Sequence, residues 1–273
     1  MCRWLAYSGS PILLEEVLFK TDHSLIDQSL RATDAPTTTN GDGFGIGWYG
    51  KRDKPGVYRD VRPAWNDKNL QALAAQIEAP MFLAHVRATT GSPVQRTNCH
   101  PFNHENWLFV HNGAINEFGK LHRELAFAVS PELFPYISGS TDSELMFLLA
   151  LTFGMEGDVQ AGIARMAGFV EHAAAKQGIG DALQMTLGIS DGESLFAVRY
   201  STVGDSRSLF HSASREATME IAPETGRFSR DARAIVSEPL SHLREEWIPV
   251  PESSFVKISR GEVVCEPFAP IAP

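Results

Sequence analysis

The chain has 273 residues, 43% of them apolar, enough to fill a substantial core, and carries a formal net charge of −9. With a pI near 5.5 and no run of Lys or Arg longer than Lys51-Arg52, it lacks the basic face of a nucleic-acid binder, so small molecules or proteins are the expected partners. No basic segment followed by an apolar core opens the chain and no apolar run reaches the length of a membrane span, which points to a cytoplasmic protein without a membrane partner.

The first two residues are Met1-Cys2. Removal of the initiator methionine would leave Cys2 with a free α-amine beside its thiol, and an α-amine with a pKa of about 7.7–8.0 can serve as a base at neutral pH. Nucleophile and base would then share one residue. Arg3 to Ser8 reads as a strand holding Cys2 at its end, and Ser10-Pro11 reads as the N-cap and first residue of a helix in which Leu13, Leu14, Val17 and Leu18 recur at helical spacing. Thr21 to Asn40, polar and without period, is expected to be a loop.

Next, Gly41, Gly43, Gly45 and Gly47 alternate with Phe44, Ile46 and Trp48. In a strand they leave one face bare, open to another backbone or a ligand; a plain glycine-rich turn is the alternative. The spacing is not that of a dinucleotide loop, and no nucleotide cofactor is expected. Asn66 to Ile77 is a predicted helix and Pro80 to Val86 a predicted strand with Arg87 at its end. A polar loop runs through Asn98-Cys-His-Pro-Phe102 to the strand Trp107–Val110, which ends in His111-Asn112-Gly113. Helical patterns cover Ile115 to Val129, Ser140 to Phe153 and Asp158 to Lys176. Hairpins are expected across Asp191-Gly192 and Arg260-Gly261, with short strands near Leu209 to Ser212 and Ala234 to Ser237. There is no linker or repeat, so a single α+β domain over residues 1–273 is expected.

Each chemical signal has a structural alternative. Arg87 could clamp a carboxylate or form an ion pair. Asn112-Gly113 could donate to an oxyanion or form a tight turn. Thr141-Asp-Ser-Glu144 fits a capping box, which still lets Asp142 face a substrate ammonium. His85, His100, His104 and His111 lack the spacing of a zinc motif, so no metal is expected. Cys99 and Cys265 read as buried apolar residues, and neither a disulfide framework nor a cysteine metal site is indicated. Together, arginine, aspartate, an oxyanion hole and a thiol describe a receptor that binds an amino acid and splits a γ-acyl amide.

Met1-Cys2-Arg3, Asn40-Gly-Asp-Gly-Phe-Gly-Ile-Gly-Trp48, Arg87-Ala-Thr-Thr90, His100-Pro-Phe102, His111-Asn-Gly113 and Thr141-Asp-Ser-Glu144, in this order, resemble the class II glutamine amidotransferases, a group of N-terminal-nucleophile hydrolases. The resemblance covers roughly residues 2–150. It implies a four-layer αββα sandwich of two mainly antiparallel sheets, with Cys2 as nucleophile and its amine as base. It also implies Arg87 and Asp142 on the glutamine head group, Asn112 and Gly113 as oxyanion hole, and Thr90 and His100 shaping the pocket. The substrate would be glutamine or a larger γ-glutamyl amide, since the small members include a γ-glutamyl hydrolase of ergothioneine synthesis and a glutathione-degrading subunit. A non-catalytic γ-glutamyl-binding subunit is a further possibility. An ammonia-accepting partner protein and self-association both stay open.

Overall fold

The structure, a computed structural model, describes residues 2–30, 39–89, 91–213, 229–241 and 246–273. Two antiparallel sheets dominate. The first has seven strands in the order β11 (Trp247–Pro249), β9 (Phe210–Ser212), β10 (Arg233–Val236), β1 (Arg3–Leu13), β4 (Glu78–Val86), β2 (Phe44–Tyr49) and β3 (Gly56–Asp60). The second has six: β13 (Glu262–Pro267), β12 (Ser254–Ser259), β8 (Leu195–Ser201), β7 (Leu183–Ser190), β6 (Trp107–Ile115) and β5 (Phe102–His104).

Side-chain alternation distributes these strands among three apolar layers. On β1, Trp4 and Ala6 join Leu83, Leu108, Val110 and Ala197 between the sheets. Leu5 and Tyr7, on the opposite face, pack with Phe82 and Ala84 beneath α1 (Leu14–Leu18), α2 (Leu25–Leu30) and α3 (Lys68–Ala74). On β6, Leu108 and Val110 face the other sheet, while Trp107 and Phe109 face α4 (Phe118–Ala128), α5 (Asp142–Thr152) and α6 (Val159–Lys176). The result is a helix–sheet–sheet–helix sandwich, the αββα fold of the N-terminal-nucleophile hydrolases. Strands covered on both faces explain why Pro80–Val86 and Trp107–Val110 read as continuous apolar runs. Helix α5 is buried from Ser143 to Leu151, as a helix apolar on all sides must be. No helix among the described residues is long and apolar enough to cross a membrane.

Side-chain caps set several helix starts where the sequence puts them. Thr141 accepts from the Glu144 amide, Asp158 from Ala161 and Asp67 from Leu70. Glu144 does not complete the reciprocal box; its carboxylate accepts from Ser138 and Gly139.

Other expectations are corrected. Ser10-Pro11 does not start a helix: β1 continues to Leu13, and α1 follows with no side-chain cap. The β1–β4 register shifts between Ser8 and Ile12, so Pro11, which has no N–H to donate, falls at an irregularity in the ladder. Ser10 is held by reciprocal bonds with Ser229. Thr21–Asn40 is not all loop. Ser24 and Asp27 cap α2 reciprocally, and Leu25 and Ile26 are buried; residues 31–38 lie outside the described residues. Strands β3, β5 and β11 have no counterpart among the predicted elements. Cys99 is buried as expected but Cys265 is exposed, because it lies on β13, the edge of its sheet, which is solvent-facing over most of its length.

Candidate active site

The β1–β4 ladder pairs Arg3 with Val86, so the residues just past each strand end, Cys2 on one and Arg87-Ala88 on the other, come together. The Cys2 thiol donates to the Ala88 carbonyl at 3.6 Å. The Arg3 guanidinium turns back to the Cys2 carbonyl at 3.0 Å and is ion-paired with buried Glu238. Cys2 is thereby held at its carbonyl by Arg3 and at its thiol by the segment after β4. Burial pushes the Cys2 thiol up from its ordinary value, with Arg87 pulling the other way.

The second sheet contributes from inside a strand. β6 runs unbroken through His111, Asn112 and Gly113, paired with Leu187, Thr186 and Met185 of β7, so Asn112-Gly113 is not a tight turn. A Cβ on Gly113 would run into the Gln184 carbonyl oxygen and lie 2.6 Å from His111 Nε2. Trp4 Nε1 donates to Thr186 Oγ1, which donates to the Asn112 carbonyl, linking the sheets behind the site. The Asn112 side-chain amide makes no hydrogen bond among the described residues and lines the same cavity as Cys2.

That cavity, of about 150 Å³, brings together Cys2, Arg87, His100, Asn112, Gly113 and Asp142. Thr90, the remaining predicted site residue, lies outside the described residues, as does Met1. Among the described residues Arg87 is in no ion pair; it donates to Ser92 Oγ at 2.6 Å and to Thr89 Oγ1 and the Asp42 carbonyl at 3.3 Å each. Asp42 in turn accepts from the Thr89 amide at 2.8 Å, fastening the turn that carries the guanidinium. Asp142 Oδ2 accepts from the Ile115 amide and Oδ1 from the Ser143 amide, both at 2.8 Å. The carboxylate is oriented by backbone yet keeps acceptor capacity on each oxygen. A fixed cation and a fixed anion on one small cavity match the carboxylate and ammonium of an amino acid, with a thiol and a free amide donor beside them.

The histidines serve differently. His85 and His100 are both buried and pack against each other with their rings tilted by 35° and the centroids 4.1 Å apart. Burial pushes His85 down to about 3 and His100 well below its usual value, so both rings stay neutral. The His100–Pro101 peptide is cis, and the His100 carbonyl fills the space a Cβ on Gly45 would need. The bare glycine face of β2 therefore receives backbone. His111 Nδ1 lies 2.8 Å from Ser143 Oγ, which reaches Asp142 at 3.2 Å. Among the described residues no group of three or more His, Cys, Asp or Glu could hold a metal.

Sequence reasoning missed Ser92, Ser143 and Arg207 as cavity residues. Ser143 was within reach, one residue past Asp142 at a capped helix start. Arg207 carries no sequence signal. A larger crevice of about 640 Å³, between the turns after β2 and β7, is walled by Lys51, Arg52, Glu105 and Glu193 and contains no cysteine, serine or threonine.

The sandwich has the fold of the N-terminal-nucleophile amidotransferases. The chain belongs to the class-II glutamine amidotransferases, whose family pattern matches residues 14–270. It is 30% identical over 301 residues to the probable glutamine amidotransferase DUG3 of Saccharomyces cerevisiae, covering 98% of this chain and 84% of that protein. It is also 30% identical over 118 residues to the gamma-glutamyl-hercynylcysteine sulfoxide hydrolase of Mycolicibacterium smegmatis, covering 42% of this chain and 52% of that protein. A solved glutamine aminotransferase class-II domain protein from Silicibacter pomeroyi superposes with a TM-score of 0.74 at 31% identity, over 98% of this chain and all of that one.

Proposed function

We propose that this chain hydrolyses the γ-amide of glutamine to glutamate and ammonia through a thioester on Cys2. The observation that carries the proposal is the single cavity in which the Cys2 thiol, the unengaged Asn112 amide, and the Arg87 and Asp142 charges meet. Arg87 takes the α-carboxylate and Asp142 the α-ammonium, which puts the side-chain amide of the substrate toward Cys2.

A thiol pushed up by burial is protonated at neutral pH, so a base must act at the moment of attack. Once Met1 is removed, the Cys2 α-amine, with a pKa of about 7.7–8.0, takes that role. It accepts the thiol proton as sulfur bonds to the amide carbon. Asn112 and Gly113 donate to the oxyanion. The resulting ammonium returns the proton to the leaving nitrogen as the C–N bond breaks. Water, deprotonated by the same amine, then adds to the thioester, the C–S bond breaks and glutamate leaves. Residues 1–273, less the removed Met1, act in this as one amidotransferase domain.

The test is glutamate release from L-glutamine by protein whose mass confirms loss of Met1, with Cys2→Ala as the blank. Release is expected to vanish in the blank. Equal release by the blank, or Cys2-dependent release by protein that retains Met1, would sink the proposal.

A further inference from the structure

The carboxylate of Asp142 offers two acceptor sites on each oxygen. Backbone fills one on each: Oδ1 accepts from the Ser143 amide and Oδ2 from the Ile115 amide, both at 2.8 Å. The Ser143 hydroxyl, 3.2 Å from Oδ1, competes for a third. That hydroxyl carries a single proton and has another acceptor within reach, His111 Nδ1 at 2.8 Å. Where the proton points decides whether an ammonium in the cavity finds one open site on Asp142 or two.

The far side of the His111 ring settles the direction. Burial pushes His111 below its ordinary pKa, with Asp142 pulling the other way, so at neutral pH the ring is neutral and carries one N–H. Its Nε2 faces the Gln184 carbonyl oxygen at 3.4 Å, and a carbonyl oxygen can only accept. With the proton on Nε2, His111 donates to Gln184 and keeps Nδ1 as an acceptor for Ser143. With the proton on Nδ1, a ring lone pair is set against the carbonyl oxygen and the Ser143 hydroxyl is turned onto Asp142. Only the first arrangement satisfies both ring nitrogens. Gly113 supports it. Two residues beyond His111, it lies on the same face of β6. A Cβ there would be 2.6 Å from Nε2 and would run into the Gln184 oxygen, so the bare glycine lets ring and carbonyl meet.

Resting on the assignment of the substrate ammonium to Asp142, we infer that His111 is a positioning residue for that site: its Nδ1 holds the Ser143 hydroxyl away from the carboxylate, which leaves each Asp142 oxygen one open acceptor for the ammonium. His111 itself touches no substrate atom in this role. It acts through Ser143, and the Gln184 carbonyl across the ladder acts through His111. A mere tie between β6 and α5 would show the same distances, but its loss would weaken ligands with and without an ammonium alike.

The test measures binding by calorimetry to Met1-free protein carrying Cys2→Ala, with L-glutamine and with glutaramate, which is glutamine without its α-amino group. His111→Phe keeps a ring but removes the acceptor, so the Ser143 hydroxyl turns to Asp142. The Kd for glutamine is expected to rise roughly tenfold, the worth of one charge-assisted hydrogen bond. Made in a Ser143→Ala background, the same substitution should move it by about twofold or less, and glutaramate should show no such dependence on Ser143. A rise equal in both backgrounds, a rise equal for both ligands, or no rise would overturn the inference. The parent supplies a check that needs no His111 variant. The ring ¹⁵N resonances displaced by Ser143→Ala should report a bare Nδ1 and a protonated Nε2, and the reverse tautomer would overturn the inference too. Cys2-dependent glutamine turnover with a His111→Phe effect that ignores Ser143 removes this role and leaves the proposed function standing. A Ser143-dependent effect on glutamine binding in a protein without turnover does the reverse.

Discussion

The two sheets deliver chemistry to the cavity in different ways. The first supplies Cys2 and Arg87 from just beyond the ends of β1 and β4, where the ladder has stopped and side chains reach inward without disturbing a strand pair. The second supplies His111, Asn112 and Gly113 from within β6, where each residue also holds a position opposite β7. Chemistry at a strand end is separable from folding, whereas chemistry inside a strand is tied to it.

Cys2→Ala sets the first half of that contrast and has the largest expected effect. Glutamate release should fall by roughly a thousandfold or more, while the urea midpoint stays within about 0.5 kcal/mol of the parent. A clearly lowered midpoint would show that the strand end is structural too. Gly113→Ala probes the other half. Its Cβ would strike the Gln184 carbonyl across the ladder, so denaturation should show a loss of about 1–3 kcal/mol together with loss of activity. A variant with parental stability would break the comparison.

Arg87→Lys sharpens it. The ammonium cannot reproduce the fork that reaches Ser92, Thr89 and a ligand carboxylate together. KM for glutamine should rise roughly ten- to a hundredfold with little change in unfolding free energy. Steady-state kinetics alongside urea titration would check both parts.

The smallest effect concerns pH, and it shows that an interior position of the first sheet carries a structural cost as well. His85 lies inside β4, and its folded pKa is pushed down to about 3 from 6.5 by burial. Between those values the unfolded chain binds a proton that the folded chain refuses. Stability therefore rises with pH across this window and is lost on acidification, by up to about 1.4 kcal/mol per pH unit for this one histidine. His100, also depressed, adds to the slope in the same direction. Urea midpoints at pH 4, 5 and 6 should show a shallower dependence in His85→Phe than in the parent; parallel curves would contradict the assignment.

Much of the candidate site was legible before the fold was known. Arg87 is visible at the end of an apolar run. Asp142 and Glu144 sit in a capping sequence whose Thr141 cap forms as expected. Asn112-Gly113 was ambiguous, because the dipeptide that suits a tight turn also suits a strand that must let the Gln184 carbonyl come close. The Ser10-Pro11 helix start failed because the local pattern of a cap could not reveal Ser229, the long-range partner that holds Ser10 in the strand. Cys265 was misread because burial depends on a strand's place in its sheet, and an edge position leaves no mark on a short apolar segment.

By itself the sequence determined what depends on neighbours a few residues apart: the Thr141 cap of α5, the apolar runs that become β4 and β6, the hairpin turns, and an ordered set of motifs marking the family. Only the tertiary structure decided that His100 backbone fills the glycine face of β2, that Asn112 shares a cavity with Cys2, and that Arg207, distant from both in the chain, lines that cavity too. These are matters of register and of the stacking of two sheets. They are set by the burial of three apolar layers at once, and no local window of the chain contains that sum.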